Sequence, residues 1–279
     1  MSIGFALTFY PELHLLASSL RSFKVDPKAN QSRLAKSIGV GALKAKSCIL
    51  WLGMLGLRNN KKRELTTLGN LLLKYDPYFE CAGTQWIFHY KLASNPEAEV
   101  WYLLSNDFLP RQTGFSFDDA INFLVSNSRL RSKNDKHLRA DVSIFLRSFT
   151  LADALGKTEY LKIGGELKRT VSQNKFYKNP PSHISPYLIA YVIFDQRENN
   201  FPNLSTITIE ALLSLKGNVG RVFSLNRKKL EEIIKLLSTT QYNRLVNFST
   251  TGGLDQVGLL FKGKSLEILE TYFMKEKGR

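Results

Sequence analysis

The sequence predicts an α+β protein that is mainly α with small β-hairpins. Apolar residues recur at helical spacing over most of the 279-residue chain, and short strand-like segments flank turns near both ends. Hydrophobic residues make up 43% and charged residues 23%, which is typical of a globular protein. Because the chain contains nothing close to the roughly 18 consecutive apolar residues that a membrane span requires, we expect no membrane partner.

The first 75 residues alternate between helical segments and turns. The segments are an apolar helical pattern ending at Asp26-Pro27, a helix over 31–38, a glycine turn over 39–41, a helix over 43–57, a basic turn over 58–66 and a helix over 68–73. Thr66 or Thr67 can cap the last of these helices. Helix, turn, helix, basic hairpin and helix is the order of a winged helix-turn-helix unit, which we predict over residues 1–75.

A helical middle region is predicted over residues 76–182. Its segments are an aromatic helix over 84–93, a helix through Leu124 that Ser116 caps, a basic loop over 129–137 and a helix over 138–149. The acidic first turn at Asp118-Asp119 suits the dipole of the second of these helices. Residues 150–182 contain Gly164-Gly165 and Pro180-Pro181, and we interpret them as a linker or insertion.

The last region, residues 183–279, repeats the pattern of the first. Its segments are an apolar helix over 185–195, a short helix over 209–215, a turn over 216–221, a helix through Leu237 that Asn226 caps, and a hairpin around the turn 250–253. We therefore predict winged helix-turn-helix units at both ends of the chain, joined by the helical middle region.

The net charge is +15 and the pI is about 9.7, which indicates a polyanionic partner. Residues 21–74 carry 12 basic and 2 acidic residues, residues 75–128 carry 2 basic and 7 acidic, and residues 129–178 carry 12 basic and 5 acidic. Two basic blocks around an acidic one favour a surface that follows a phosphate backbone, although lysines and arginines also solvate helix faces. We expect double-stranded DNA as the partner.

The cysteine content does not favour a disulfide framework or a structural zinc site. Only Cys48 and Cys81 occur, without the spacing of a zinc site, so neither a disulfide framework nor structural zinc is expected. The first residues lack the features of a signal peptide, and we expect the protein in the cytoplasm.

The DNA contacts we predict are basic or hydroxyl side chains of the two winged units and of the basic loop. They are Lys44, Lys46 and Ser47 on the second helix, Arg58, Lys61, Lys62 and Arg63 on the hairpin, Arg129, Arg131 and Lys133 in the loop, and Arg227, Lys228 and Lys229 in the last region.

Several short motifs together resemble a family long described as a domain of unknown function. They are 33–41, Trp51-Leu52, 65–69, Asp76-Pro77-Tyr78, 86–93, 139–142 with 145–147, and 220–223, within a resemblance over roughly residues 5–262. Members of this family occur in bacterial DNA phosphorothioation and phage-defence loci. In the single-stranded phosphorothioation systems the member is the DNA-nicking component, which acts beside sulfur-transfer enzymes and an ATPase. The resemblance therefore implies these partners and a nicking activity.

Nicking hydrolyses a phosphodiester and usually needs a divalent metal, Mg²⁺ or Mn²⁺, held by carboxylates. The sequence contains no contiguous nuclease motif, so a metal site would be assembled from separated residues. Asp76 and Glu80, four residues apart, are one candidate metal pair, with His89 nearby in sequence. Asp76 also has a structural explanation in the turn before Pro77, and His89 has one as a core residue of an aromatic helix.

A second candidate group contains Asp141 with Asp135 and His137. The alternative for Asp141 is an ion pair with Arg139 or Arg147. The candidate catalytic residues are thus Asp76, His89 and Asp141.

Three functions are compatible with these observations: a nicking enzyme, a non-catalytic adaptor that brings sulfur-transfer and ATPase components to DNA, and a winged-helix transcription regulator. Two winged units supply a long basic surface without dimerisation, and no ligand-sensing module is evident. The sequence therefore favours the first two, and only the family resemblance favours nicking over the adaptor.

Overall fold

A computed structural model describes residues 4–127, 135–166, 168–251 and 254–276. It confirms a mainly helical α+β protein with small antiparallel sheets. The chain forms two compact units, residues 1–179 (unit 1) and 180–279 (unit 2). None of the helices in the described part of the chain is both long enough and apolar enough to cross a membrane.

Unit 1 begins with four helices and a short hairpin. They are α1 (Leu13–Val25), α2 (Gln31–Ile38), α3 (Ala42–Met54), β1 (Arg58–Asn59), β2 (Glu64–Leu65) and α4 (Thr67–Tyr75). Gly39 ends α2 with a φ of 69°, a left-handed conformation that glycine adopts without a steric penalty. The order of elements predicted for this part of the chain is present.

The rest of unit 1 combines helices with a three-stranded sheet. The elements are α5 (Ala82–Ala93), α6 (Glu99–Leu103), β3 (Gly114–Ser116), α7 (Phe117–Ser126), α8 (Asp135–Thr150), β4 (Leu161–Ile163) and β5 (Lys175–Lys178). A π-helical turn (Leu104–Phe108) and a 3-10 turn (Leu109–Arg111) continue α6.

Of the two alternatives for residues 150–182, a linker or an insertion, the structure contradicts the linker. Strands β4 and β5 lie in this segment, and β5 pairs antiparallel with β3 on one side and with β4 on the other. Phe176 of β5 is opposite Phe115 and Ile163, so the segment closes the core of the middle region. Strands of three or four residues are too short for an alternating apolar pattern to predict them.

Unit 2 contains α9 (Pro186–Asn200), β6 (Thr206–Thr208), α10 (Ile209–Ser214), α11 (Val219–Val222), α12 (Arg227–Leu237), β7 (Val246–Thr251), β8 (Leu254–Leu259) and α13 (Ser265–Glu276). Its sheet has the order β6-β8-β7, and the sheet of unit 1 has the order β3-β5-β4. In both regions the first strand is followed along the chain by helices and then by two further strands. The first strand pairs with the last of them: β3 with β5, and β6 with β8. The middle region and unit 2 therefore share one connectivity.

Predicted helix caps are confirmed at three sites. Thr66 Oγ1 accepts a hydrogen bond from the Gly69 N–H, and Asn226 Oδ1 accepts one from the Lys229 N–H. Ser116 and Asp119 form a reciprocal capping box at the start of α7. Each cap satisfies a backbone N–H that has no partner inside its helix.

An aromatic cluster forms the core of unit 1. Trp51 of α3 lies 4.8 Å from Phe5 and 5.7 Å from Trp101 of α6, measured between ring centroids. Trp101 in turn lies 5.0 Å from Phe145 of α8, which is 5.2 Å from Phe149. These contacts join α3, α6 and α8 in one continuous core.

Gly69 allows α4 to approach Leu57, the residue before the hairpin. A Cβ at this position would overlap the backbone carbonyl oxygen of Leu57, which cannot move as a flexible side chain can. We expect Gly69→Ala to lower the free energy of unfolding by about 1–3 kcal/mol through overpacking, measured by thermal or urea denaturation. Gly41→Ala is the matched control, because a Cβ there would meet nothing within 4 Å. Equal destabilisation by the two variants would contradict this account of the packing.

Candidate nucleic-acid interface

The turn between β1 and β2 presents three consecutive basic side chains, Lys61, Lys62 and Arg63, and all three are exposed. Asn59 Oδ1 shapes the turn by accepting hydrogen bonds from the Lys61 and Lys62 N–H groups, at 3.1 and 3.0 Å. Arg63 adopts a left-handed φ of 56°. The tight turn therefore concentrates positive charge at one end of the hairpin.

The hairpin is attached to α3 by Asn60, whose Nδ2 donates to the Ile49 carbonyl oxygen at 2.9 Å. Arg58, only 4% exposed, holds Asn60 in place by donating to its Oδ1 at 2.7 Å. Its guanidinium also stacks 4.0 Å above the Phe23 ring and donates to the Pro27 carbonyl oxygen. Burial, with the nearby charge of Arg63, lowers the pKa of Arg58. Arg58 is therefore an internal anchor of the hairpin, and its burial does not favour the predicted phosphate contact.

Helix α3 exposes only part of the predicted set. Lys46 is exposed. Lys44 pairs with Glu12 at 2.6 Å, and its side chain is 30% exposed. Ser47 is buried and donates to the Ala6 carbonyl oxygen at 3.0 Å, which does not favour the predicted DNA contact by Ser47.

The remaining predicted contacts differ in their surroundings. Arg227 pairs with three carboxylates, those of Glu210 at 3.4 Å, Glu231 at 3.2 Å and Asp255 at 2.9 Å. Lys228 is exposed, and Lys229 lies 4.0 Å from Glu232. Arg129, Arg131 and Lys133 lie outside the described residues.

Asp76 stabilises the turn that precedes α5. Its Oδ1 accepts from the Glu80 N–H, and its Oδ2 accepts from the Cys81 N–H and from Thr84 Oγ1, at 2.6–3.0 Å. Both oxygens of this buried carboxylate are thus directed at the chain's own donors, and the Glu80 side chain is exposed. Asp76 and Glu80 therefore do not fit a divalent metal. In the described part of the chain, no three His, Cys, Asp or Glu residues are grouped as metal ligands.

His89 is fully buried in the aromatic core. Its ring lies 4.8 Å from Tyr160, 5.1 Å from Phe149 and 5.9 Å from Trp86, between centroids. This environment supports the structural interpretation of His89.

Asp141 is buried on α8, where its Oδ2 accepts a hydrogen bond from the Gly4 N–H at 2.6 Å. Its Oδ1 has no hydrogen-bond partner among the described residues. Arg139 instead lies 3.4 Å from Asp118, and Arg147 stacks 4.7 Å above the Tyr10 ring. Burial raises the pKa of Asp141 to about 6, against the hydrogen bond from Gly4 and the charge of His137, which lower it.

Four basic side chains near the middle sheet are not among the predicted DNA contacts. They are Arg139, Arg147, Lys168 and Arg169. The excess of basic residues over 129–178 is the sequence signal for them, but the prediction uses only the loop before α8 and considers the two arginines as partners of Asp141.

The pKa of Asp141 predicts a pH dependence of stability. A folded-state pKa of about 6, above the ordinary 3.8, means that the folded protein binds more protons than the unfolded chain between these values. The contribution of Asp141 to the free energy of unfolding therefore falls as the pH rises from about 4 to 6. We expect Asp141→Asn to become more stable relative to the wild type by roughly 1–3 kcal/mol over this window. Urea denaturation of both proteins in the same buffers measures this, and a constant difference would contradict it.

Comparisons with known proteins agree with the motifs. The family profile described as "Protein of unknown function (DUF4007)" matches residues 8–273. Two crystal structures of SspB are similar to this chain. The structure with a bound magnesium ion gives a TM-score of 0.79, and the second SspB structure gives 0.78. In both cases the sequence identity is 16%, and the match covers 99% of this chain and 89% of the SspB chain. At this identity the likeness establishes a shared fold. No curated protein matches the chain. Because the family profile spans nearly the whole sequence, the chain belongs to the DUF4007 family.

Proposed function

We propose that the protein is the DNA-binding component of a bacterial DNA phosphorothioation system. The observation that carries this proposal is the β1–β2 turn, where Lys61, Lys62 and Arg63 are exposed side by side. Phosphate contacts from lysine and arginine supply most of the sequence-independent affinity of proteins for DNA. The fold shared with SspB and the family resemblance support placing this activity beside sulfur-transfer and ATPase partners.

The N-terminal elements support a winged helix-turn-helix interpretation. Helices α2 and α3 are joined by the Gly39 turn, and the hairpin that follows is attached to α3 through Asn60. In such units the second helix enters the major groove and the hairpin contacts the adjacent backbone. Lys46 on α3 and the basic turn are the side chains in position for these two roles.

Unit 2 supports a second winged unit through its connectivity. Strand β6, helices α10–α12 and the β7–β8 hairpin follow one another, and β6 pairs with β8. Lys228 and Lys229 at the start of α12 are its candidate DNA contacts. Arg227 contributes less, because three carboxylates already surround it.

The geometry of the predicted catalytic residues favours a DNA-binding role. It does not favour nicking by Asp76, His89 and Asp141. Asp76 and His89 are buried with structural contacts, and Asp141 lies on a different helix. Nicking remains the second candidate, favoured by the family resemblance and by the magnesium ion in one SspB structure. Incubation of the protein with supercoiled plasmid in Mg²⁺, in Mn²⁺ and in EDTA separates the two. Metal-dependent open circles would establish nicking, whereas DNA binding without open circles would favour a non-catalytic role such as the adaptor.

We expect the double variant Lys61→Ala with Lys62→Ala to bind duplex DNA about tenfold more weakly at moderate salt. The log–log dependence of affinity on salt should become shallower by about two units, because each lost phosphate contact removes about one. Fluorescence anisotropy of labelled DNA over a salt series measures both quantities.

The matched control is Lys262→Ala with Lys264→Ala, which removes the same charge from exposed positions of unit 2 before α13. If the two double variants lose affinity equally, net charge explains the effect and the hairpin assignment is wrong.

A further inference from the structure

We infer a second nucleic-acid contact in unit 1, in a cleft between α8 and the segment that connects β4 to β5. This inference rests on the proposed DNA-binding function and assigns part of it to residues that are not among the predicted DNA contacts. The cleft has a volume of about 650 Å³. Its basic side chains are Arg139 and Arg147 of α8 and Lys168 and Arg169 of the connecting segment.

The position of the cleft follows from the connectivity. Strand β3, helices α7 and α8, and strands β4 and β5 repeat the order and pairing of unit 2, with the first strand beside the third. Helix α8 thus precedes a β-hairpin, as α12 does in unit 2 and α3 does at the start of the chain. In winged units the helix before the hairpin and the hairpin itself form the surface that contacts DNA.

One face of α8 supplies one wall of the cleft. Arg139, Ser143 and Arg147 are spaced four residues apart, which places them in line on the helix. Both guanidinium groups stack on aromatic rings, Arg139 at 5.0 Å above Phe117 and Arg147 at 4.7 Å above Tyr10. Stacking fixes an arginine while its N–H edge can still bind phosphate.

The opposite wall is held by one buried side chain. Asn174, 5% exposed, accepts a hydrogen bond from the Lys168 N–H at 2.8 Å and donates to the Thr170 carbonyl oxygen at 2.9 Å. These bonds fix the backbone that carries Lys168 and Arg169, and both of these side chains are exposed. Asn174 therefore helps to determine the positions of Lys168 and Arg169 on this wall.

The charge of the cleft points to an extended polyanion. None of the described residues lining it is acidic, whereas four are basic and others carry hydroxyl groups. The exposed Asp118 lies 3.4 Å from Arg139, a surface contact of small energy. From Arg139 to Arg147 the helix rises about 12 Å, over which one DNA strand presents about three phosphates. A DNA backbone therefore fits the cleft better than a single small anion.

The cleft and the hairpin are linked by the N-terminal segment 4–12. Gly4 bonds to Asp141 of α8, and Tyr10 lies beneath Arg147 of the same helix. Ala6 and Glu12 contact Ser47 and Lys44 of α3. Both basic surfaces thus belong to the same compact unit.

The test measures binding of labelled duplex DNA by the full-length protein over a salt series. We expect Lys168→Ala with Arg169→Ala to lower affinity about tenfold and to make the log–log salt slope shallower by about two units. Ser143→Glu, which places a carboxylate between the two arginines, should also weaken binding. The control is Lys162→Ala with Lys175→Ala, because these cations lie on the same sheet but outside the cleft.

The outcomes separate this inference from the proposed function. If the cleft variants have the affinity and salt slope of the wild type while the Lys61/Lys62 variant binds more weakly, the cleft is overturned and the hairpin assignment stands. Loss in the cleft variants and not in the control supports the inference, provided that melting temperatures show all variants folded. A wild type that binds no DNA would overturn both.

Discussion

The stacking of aromatic rings between helices is the interaction on which unit 1 depends. Trp51 connects the first helices to the middle region through Trp101, and its Nε1 donates to the Phe9 carbonyl oxygen at 3.0 Å. Phe145 and Phe149 continue the contacts into α8. Each such pair contributes about 0.5–1.5 kcal/mol beyond the area it buries, and together the rings fix the orientation of α3 relative to α8. This packing therefore determines the positions of the β1–β2 turn, which is attached to α3, and of the basic cleft beside α8.

The same packing explains why several basic or hydroxyl side chains face inward. Arg58, Lys44 and Ser47 each contact a residue more than 30 positions away, such as Pro27 for Arg58 and Ala6 for Ser47. A charge count along the sequence gives the number of cations in a block but does not reveal which of them have partners in the fold. Among the predicted contacts that the structure describes, the three cations of the hairpin turn, Lys46 and Lys228 are exposed.

Local features of the fold could be predicted, and long-range ones could not. The caps at Thr66, Ser116 and Asn226 involve partners within three residues, so residue type and spacing suffice. The short strands β4 and β5 are defined by pairing with each other and with distant β3, which the sequence of residues 150–182 does not display. The candidate site divides in the same way. The basic turn was predicted because its residues are consecutive. The burial of Asp76 and the basic cleft beside α8 depend on residues that are distant in sequence and become neighbours only in the folded protein.

The N-terminal segment that contacts both α3 and α8 has a consequence for the kinetics of binding. If the two proposed surfaces bind the same DNA, they act as a bivalent ligand: once the first contact has formed, the second occurs at a high effective concentration, without a further loss of translational freedom. A DNA released from one surface would then still be held by the other and would rebind before it diffuses away. Cutting the link between the helices would therefore shorten the residence time on DNA even if every basic side chain stayed in place.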